Sequence, residues 1–341
     1  MKELFEGKSI LVTGGCGSIG SEIVRQLLRY NPKVIRIFDQ EETALFNSQQ
    51  EHSGNKNARF LVGNVRDKDR LNTAMEGIDI VFHAAALKHV PLSEYNPFEA
   101  VKTNVYGTQN VIDCALENGI GKVINISTDK AASPINTVGA TKLLGEKLIS
   151  AAHYSKGSKK TVFASVRFGN VLDSRGSVIP IFREQIRKGS PVTITHREMC
   201  RFAMSIEQAV YLVLKTAKIM KGGETFILKM PAIRLIDLAE LMIQESGKKI
   251  KIEIIGTRPG EKIHEELMAE DEAKNVFETD EMFVIRPNSL SVEGFWETKQ
   301  KANDSGKKAE IRKYSTKDEK PVTKEEIKKI LKEAKICFEC G

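Results

Sequence analysis

The stretch Thr13-Gly14-Gly15-Cys16-Gly17-Ser18-Ile19-Gly20 decides how the rest of the chain is read. A short apolar run, Ser9–Thr13, precedes it, and apolar residues at helical spacing, Ile19, Ile23 and Leu27, follow it. A glycine-rich turn between a strand and a helix is the setting that a phosphate-binding turn requires. Gly14 permits the tight turn, Gly17 lets the backbone approach a pyrophosphate with no Cβ in the way, and Gly20 lets the helix pack closely on the strand. The amides that open the helix, at Ser18 and Ile19, then face the anion.

The second apolar run, Val34–Phe38, ends at Asp39, 19 residues beyond Gly20. A carboxylate at that spacing accepts hydrogen bonds from both hydroxyls of an adenosine ribose and repels a 2′-phosphate. The pattern therefore predicts an NAD site, with NADP a lesser alternative because Arg36 stands two positions earlier. Further runs rich in β-formers lie at Arg59–Val62, Ile78–Phe82 and Lys122–Ile126, with helix-like segments between them. Strand alternating with helix at this pitch predicts an α/β fold, a doubly wound parallel sheet covered on both faces. Asn64 and Val65 follow the third strand, where Asn64 either meets the adenine or is a plain turn residue. Ala84, Ala85 and Ala86 follow the fourth; small residues there let the backbone lie against the cofactor, and Lys88 reaches a ribose or a substrate. His83 and His89 lack metal-ligand spacing, so no metal is expected.

Composition sets bounds on the rest. The chain has 341 residues, 41% apolar and 28% charged, as in ordinary folded proteins. The start, M-K-E-L-F-E-G-K, has no apolar run of the signal-peptide kind, and no segment reaches the length of a membrane span. Five scattered cysteines, at 16, 114, 200, 337 and 340, make no disulfide framework. The expectation is a cytoplasmic protein without integral membrane association. Net charge is +7, and 13 basic against 8 acidic residues between Glu297 and Lys335 supply much of the excess. Both signs alternate there without an aromatic platform to stack bases, so a solvated surface is expected and no nucleic-acid partner. Near the end, Thr323-Lys324-Glu325-Glu326 reads as a capping box, with Ile327, Ile330, Leu331 and Ala334 forming one apolar stripe. Cys337-x-x-Cys340 alone cannot complete a four-ligand zinc site.

Four further motifs, H-A-A-A-L-K-H-V-P (83–91), S-T-D-K-A-A-S-P (127–134), R-F-G-N-V (167–171) and R-P-G-E-K (258–262), join the glycine turn. Together they resemble the extended short-chain dehydrogenase/reductase superfamily, and within it the UDP-N-acetylglucosamine 4,6-dehydratases of polysaccharide biosynthesis. The resemblance covers roughly residues 5 to 290. It implies a Rossmann domain over 1–170, an interleaved sugar-nucleotide-binding part over 171–290 and a charged extension with a terminal helix over 291–341. The branch includes long members with membrane helices ahead of the enzyme domain; this chain looks like a soluble short form. A homo-oligomer is the expectation.

The resemblance also implies a chemistry. Hydride leaves C4 of the sugar for the nicotinamide, the ketone acidifies C5, water is lost across C5 and C6, and hydride returns to C6. Thr128 would orient the C4 hydroxyl, Asp129 would act as acid at C6, and Lys130 would be the C5 base if burial or a neighbouring cation lowered its pKa. Lys142 would hold the nicotinamide ribose. Four positions before it, where the superfamily usually has tyrosine, this chain has Val138. Valine handles no proton, so Asp129 would serve twice, taking the O4 proton and delivering it to O6. Asn170, Arg201, Arg258 and Glu261, with Lys88, would hold the UDP-sugar. Two other readings stay open at this stage: a nucleotide-sugar 4-epimerase and a non-catalytic dinucleotide binder.

Overall fold

Alternation along the first strand organises the molecule. In the computed structural model, which describes residues 1–174, 176–286, 307–310 and 313–336, all five residues of β1 (Ser9–Thr13) are buried. Ile10 and Val12 point into one apolar cluster, with Ile23, Val24 and Leu27 of the helix Ser18–Leu28; Leu11 points into another, with Val111, Ile112 and Ala115 of the helix Gly107–Glu117. A strand covered on both faces belongs inside a parallel sheet. The neighbours follow suit: β2 (Val34–Asp39), β3 (Ala58–Val62), β4 (Ile80–His83), β5 (Lys122–Ile126) and β6 (Val162–Arg167). They lie in the order β3-β2-β1-β4-β5-β6, all parallel. This is the doubly wound Rossmann order, with its switch point between β1 and β4.

The sheet continues beyond the expected core. The strand Thr225–Leu228 pairs parallel with β6, and Met282–Ile285 and then Val276–Glu278 add antiparallel strands at that edge. The R-F-G-N-V motif does not simply end the sixth strand. β6 stops at Arg167, and Asn170–Val171 pairs instead with Ala203 and Met204 in a separate three-stranded sheet. Gly169 makes the departure possible: a Cβ there would lie 2.6 Å from the Phe202 carbonyl oxygen.

Arg167 closes β6 with a buried charge cluster. Its Nε and Nη2 donate to Glu146 at 3.0 and 2.5 Å, Nη1 and Nη2 to Glu272 at 2.8 and 2.9 Å, and Nη1 also to the Leu267 carbonyl at 2.9 Å. All five guanidinium protons are used, and the Glu272 carboxylate also accepts from the Ala269 amide. A third apolar cluster joins Ile179, Phe182 and Leu238 to Ile327 and Leu331 of the helix Lys324–Glu333. That helix opens with the expected capping box between Thr323 and Glu326. The Cys337 and Cys340 pair lies outside the described residues. Among the described residues, no helix is long and apolar enough to cross a membrane, and no group of three His, Cys, Asp or Glu residues is placed to hold a metal ion.

Candidate active site

The glycine turn has the shape its sequence requires. Gly14 has φ +64°, and a Cβ on it would sit 2.6 Å from the Ala85 nitrogen. A Cβ on Gly20 would lie 2.1 Å from the Gly14 carbonyl oxygen, so helix and turn touch backbone to backbone. Gly17 takes the N-cap position, and Ser18 and Ile19 open the helix. Asp39 is pinned at the end of β2, where its carboxylate accepts from the Cys16 amide at 3.0 Å and the Glu41 amide at 3.2 Å. Arg36 is committed elsewhere, to the carbonyls of Ala74 and Glu76. Asn64 donates to the Gln40 side chain and accepts from the Arg66 amide, as a turn residue does. Val65 is buried in the core, with its side chain against Gly107.

The loop after β4 carries Ala84, Ala85 and Ala86 beside this turn, and the Ala84 amide donates to the Thr13 carbonyl. Lys88 is at the loop's exposed end. Asn104, which sequence reasoning missed, holds the loop in place. It lies in a π-helical turn, Lys102–Tyr106, and its amide group bonds both the nitrogen and the carbonyl of Leu87 and reaches Thr141 at 3.0 Å. π-turns recur at functional sites because they redirect a side chain out of helical register; here the inserted asparagine ties the loop after β4 to the helix Thr137–Ser155. The buried His83 spans Thr13 and Thr108. Since the Thr108 hydroxyl donates to the Asn104 carbonyl, it can only accept from Nε2–H of His83, and Nδ1 accepts from Thr13. Burial, helped by the charge on Lys142, holds this imidazole neutral with a pKa of about 3.

The S-T-D-K segment follows β5 at the carboxyl edge of the sheet. The Ser127 amide donates to the Val166 carbonyl and the Asp129 amide to Phe168, which fixes the turn against the end of β6. Asp129 is 1% exposed. Its Oδ1 accepts from the Thr128 hydroxyl at 2.7 Å and from Lys130 Nζ at 2.9 Å, while Oδ2 accepts from none of the described residues. Across the cluster lies Glu265, also missed in the sequence and 3% exposed. Its Oε1 is 3.9 Å from Lys130 Nζ and 3.7 Å from Arg201 Nε, and its Oε2 likewise accepts from none of the described residues. Burial raises the Glu265 pKa, and the Asp129 charge raises it further.

Two expectations change here. Burial does push the Lys130 amine towards neutrality, but the charges of Asp129 and Glu265 outweigh it and leave its pKa above the ordinary value. Lys130 therefore rests as an ammonium, not as a free base. Arg201, expected at a diphosphate, is 6% exposed and turned inward: it donates to the carbonyls of Cys200, Lys262 and Ile263.

The helix Thr137–Ser155 brings Lys142 to the site. A Cβ on Gly139 would lie 2.2 Å from the Lys130 carbonyl oxygen, so helix and turn are in backbone contact. Asn136 caps the helix through the Gly139 amide and donates to the Gly260 carbonyl, while Lys262 donates to Ala132 and Ser133. The R-P-G-E-K loop is thereby tied to the S-T-D-K turn. Lys142 donates to the Ile126 carbonyl at 2.7 Å, and burial lowers its pKa to about 8, against a smaller opposing effect of Glu146. Val138 is 2% exposed. Asn170 lines a small apolar pocket with Ser177, Leu172 and Leu238. Arg258 is exposed, and its amide donates to Glu261.

Fold and site together define an extended short-chain dehydrogenase/reductase, with the buried Asp129–Lys130 pair following β5 at the carboxyl edge of the sheet. A family model described as polysaccharide biosynthesis protein matches residues 10–287, and the chain belongs to that family. It is 54% identical to an uncharacterized membrane protein of Methanocaldococcus jannaschii over 98% of both chains. It is 42% identical to a UDP-N-acetylglucosamine 4,6-dehydratase (inverting) of Campylobacter jejuni, covering 88% of this chain and 92% of that one. A UDP-glucose 4-epimerase of Rickettsia prowazekii is 42% identical over 80% of this chain and 81% of its own. Among solved structures, Pen from Bacillus thuringiensis superposes with a TM-score of 0.89 at 46% identity, over 97% and 98% of the two chains. The relatives thus place the protein among nucleotide-sugar dehydratases and epimerases of polysaccharide biosynthesis.

Proposed function

We propose that the protein is an NAD-dependent UDP-N-acetylglucosamine 4,6-dehydratase. The observation that carries this reading is the buried Asp129 carboxylate, with one oxygen held by Thr128 and Lys130 and the other accepting no hydrogen bond from the described residues. The cradle suits a dinucleotide: at Gly14 and Gly20 a Cβ would collide with backbone, and Asp39 stands at the ribose position of the fold. Gly14, Gly17, Ser18, Ile19 and Gly20 would hold the pyrophosphate, Asp39 the adenosine ribose, and Lys142 the nicotinamide ribose. Held there, NAD would supply the hydride chemistry that the reaction needs, between C4 and C6 of the sugar.

The chain's own residues move the protons. Asp129 takes the O4 proton during oxidation, a task Val138 cannot perform. The C5 proton, now α to a ketone, goes to Lys130 as its neutral amine. The C5–H electron pair forms the C5–C6 double bond as the C6 hydroxyl leaves with the proton from Asp129, as water. Lys130 then returns its proton to C5, so the enzyme ends as it began. Asn170, Arg258, Glu261 and Lys88 would bind the UDP group, with Arg201 bracing the cluster from behind.

Incubation with UDP-N-acetylglucosamine and mass spectrometry of the product tests the proposal. A sugar nucleotide lighter by one water is expected. An isomer of equal mass would make the protein an epimerase, and bound NAD without turnover would make it a silent binder.

A further inference from the structure

Lys130 poses a difficulty for the dehydratase reading. The step at C5 needs a neutral amine, yet the two carboxylates around Lys130 favour its ammonium. Deprotonation by bulk water would tie the rate steeply to pH. The proton must go to a group inside the cluster, and Asp129 is not available for it, because it receives the O4 proton.

Resting on that reading, we propose that Glu265 is the proton partner of Lys130: its buried carboxylate takes one proton from the ammonium to free the amine for C5 and gives it back when turnover is complete. The exchange is a plain transfer. An N–H bond of Lys130 breaks, an O–H bond forms on Glu265, and the cluster's total charge is unchanged. No oxidant, reductant or outside base takes part.

Geometry supports the assignment. Lys130 Nζ sits between two carboxylates, 2.9 Å from Asp129 Oδ1 and 3.9 Å from Glu265 Oε1. Glu265 Oε2 accepts no hydrogen bond from the described residues, so the carboxyl is not committed to a structural bond as Glu146 and Glu272 are. Its backbone is fixed on both sides by one residue: the Glu265 amide donates to the Thr316 hydroxyl at 3.1 Å, and the Thr316 amide donates to the Glu265 carbonyl at 2.9 Å. The charges facing it are Asp129, Lys130, Arg201 and Lys262, with Glu261 near Arg201. Burial and then the Asp129 charge raise the Glu265 pKa, against the smaller opposing effects of Lys130, Arg201 and Lys262, so the carboxyl is a better proton acceptor than an exposed glutamate. Glu265 thus acts through Lys130, as a positioning and proton-storing residue.

The proposal makes a distinctive prediction for Glu265→Gln, which keeps size and shape. In the wild type the proton moves within the cluster, so kcat stays flat with pH across the neutral range. In the variant the amine must lose its proton to solvent, so kcat falls about tenfold to a hundredfold at pH 7 with little change in KM. It then recovers as pH rises, by about tenfold per pH unit. Glu265→Asp restores part of the flat profile. A loss of equal size at every pH, or no loss, overturns the proposal, since a merely structural role would not change the slope.

A second measurement needs no turnover and separates failure of this inference from failure of the dehydratase reading. Removing the Glu265 charge lowers the Lys130 pKa, so acetic anhydride at pH 8 should acylate Lys130 several-fold faster in Glu265→Gln, as read by peptide mass spectrometry. If UDP-N-acetylglucosamine is not dehydrated but acylation rises, the site's assignment fails while the pairing of Glu265 with Lys130 stands. If acylation is unchanged, the pairing is wrong whatever the substrate.

Discussion

Around Arg167 every donor and carboxylate oxygen is matched; around Asp129 two carboxylate oxygens are left over. Both clusters set two carboxylates against a cation near the end of β6, and both take one carboxylate from the stretch 265–272. The difference teaches what each is for. A guanidinium with all five protons bonded between Glu146, Glu272 and a carbonyl has no capacity for a ligand, so it joins β6 to the helix Thr137–Ser155 and to the segment after Leu267. In the other cluster, Asp129 Oδ2 and Glu265 Oε2 keep acceptor capacity at the cost of desolvation, a cost that the proposed substrate hydroxyl and moving proton would offset.

The comparison can be broken most directly at Asp129. Replacing it with asparagine keeps the packing and removes the proton acceptor, so kcat for loss of water should fall about 10²–10⁴-fold with the melting temperature nearly unchanged. Retention of full turnover would end its double role. In the matched cluster the effect should appear in stability instead. Arg167→Met strands Glu146 and Glu272 and should cost about 3–5 kcal/mol, read as a drop in the urea midpoint. A cost under about 1 kcal/mol would mean that the matched cluster is ornamental.

Lys142 offers a finer test, because its lowered pKa links stability to pH. The unfolded chain binds the Lys142 proton up to pH 10.5, the folded chain only up to about 8. Between those values the unfolded state carries more protons, so stability rises with pH there; below about 8 the full penalty of burying the ammonium applies. Wild type should therefore gain on Lys142→Met as pH climbs from 8 to 10.5, by at most about 3 kcal/mol. Paired thermal melts at pH 7, 8, 9 and 10 check the sign. The smallest effect belongs to Arg258, which is exposed and outside both clusters. Arg258→Ala should leave stability within about 0.5 kcal/mol while raising KM for the UDP-sugar.

How much of this was legible in the chain follows from distance along it. The glycine turn, the Asp39 spacing and the short apolar runs are local signals, and each lies in the structure where its pattern put it. The Asp129–Lys130 adjacency was equally plain. Glu265, 136 residues beyond Asp129, meets them only through tertiary packing, and its charge helps to leave the Lys130 pKa raised where the expected base role was conditional on a lowered one. Arg201 looked like a ligand-binding arginine because nothing nearby in sequence shows the carbonyls it meets, which belong mostly to Lys262 and Ile263. Asn104 carried no motif; its importance comes from a single π-turn that swings it under Leu87. The exit of the chain at Gly169 was hidden for the same reason, since Phe202 makes that crossing tight.

Thr316, the residue that grips Glu265 from both sides, lies beyond residue 287, where the family match stops. The body that the family model matches therefore borrows a clamp from outside its own span. A version trimmed to the matched segment would keep the nucleotide cradle yet leave its acid–amine pair without one of the walls that sets their spacing. Anyone grafting this body onto another protein should carry the piece through Thr316 along with it.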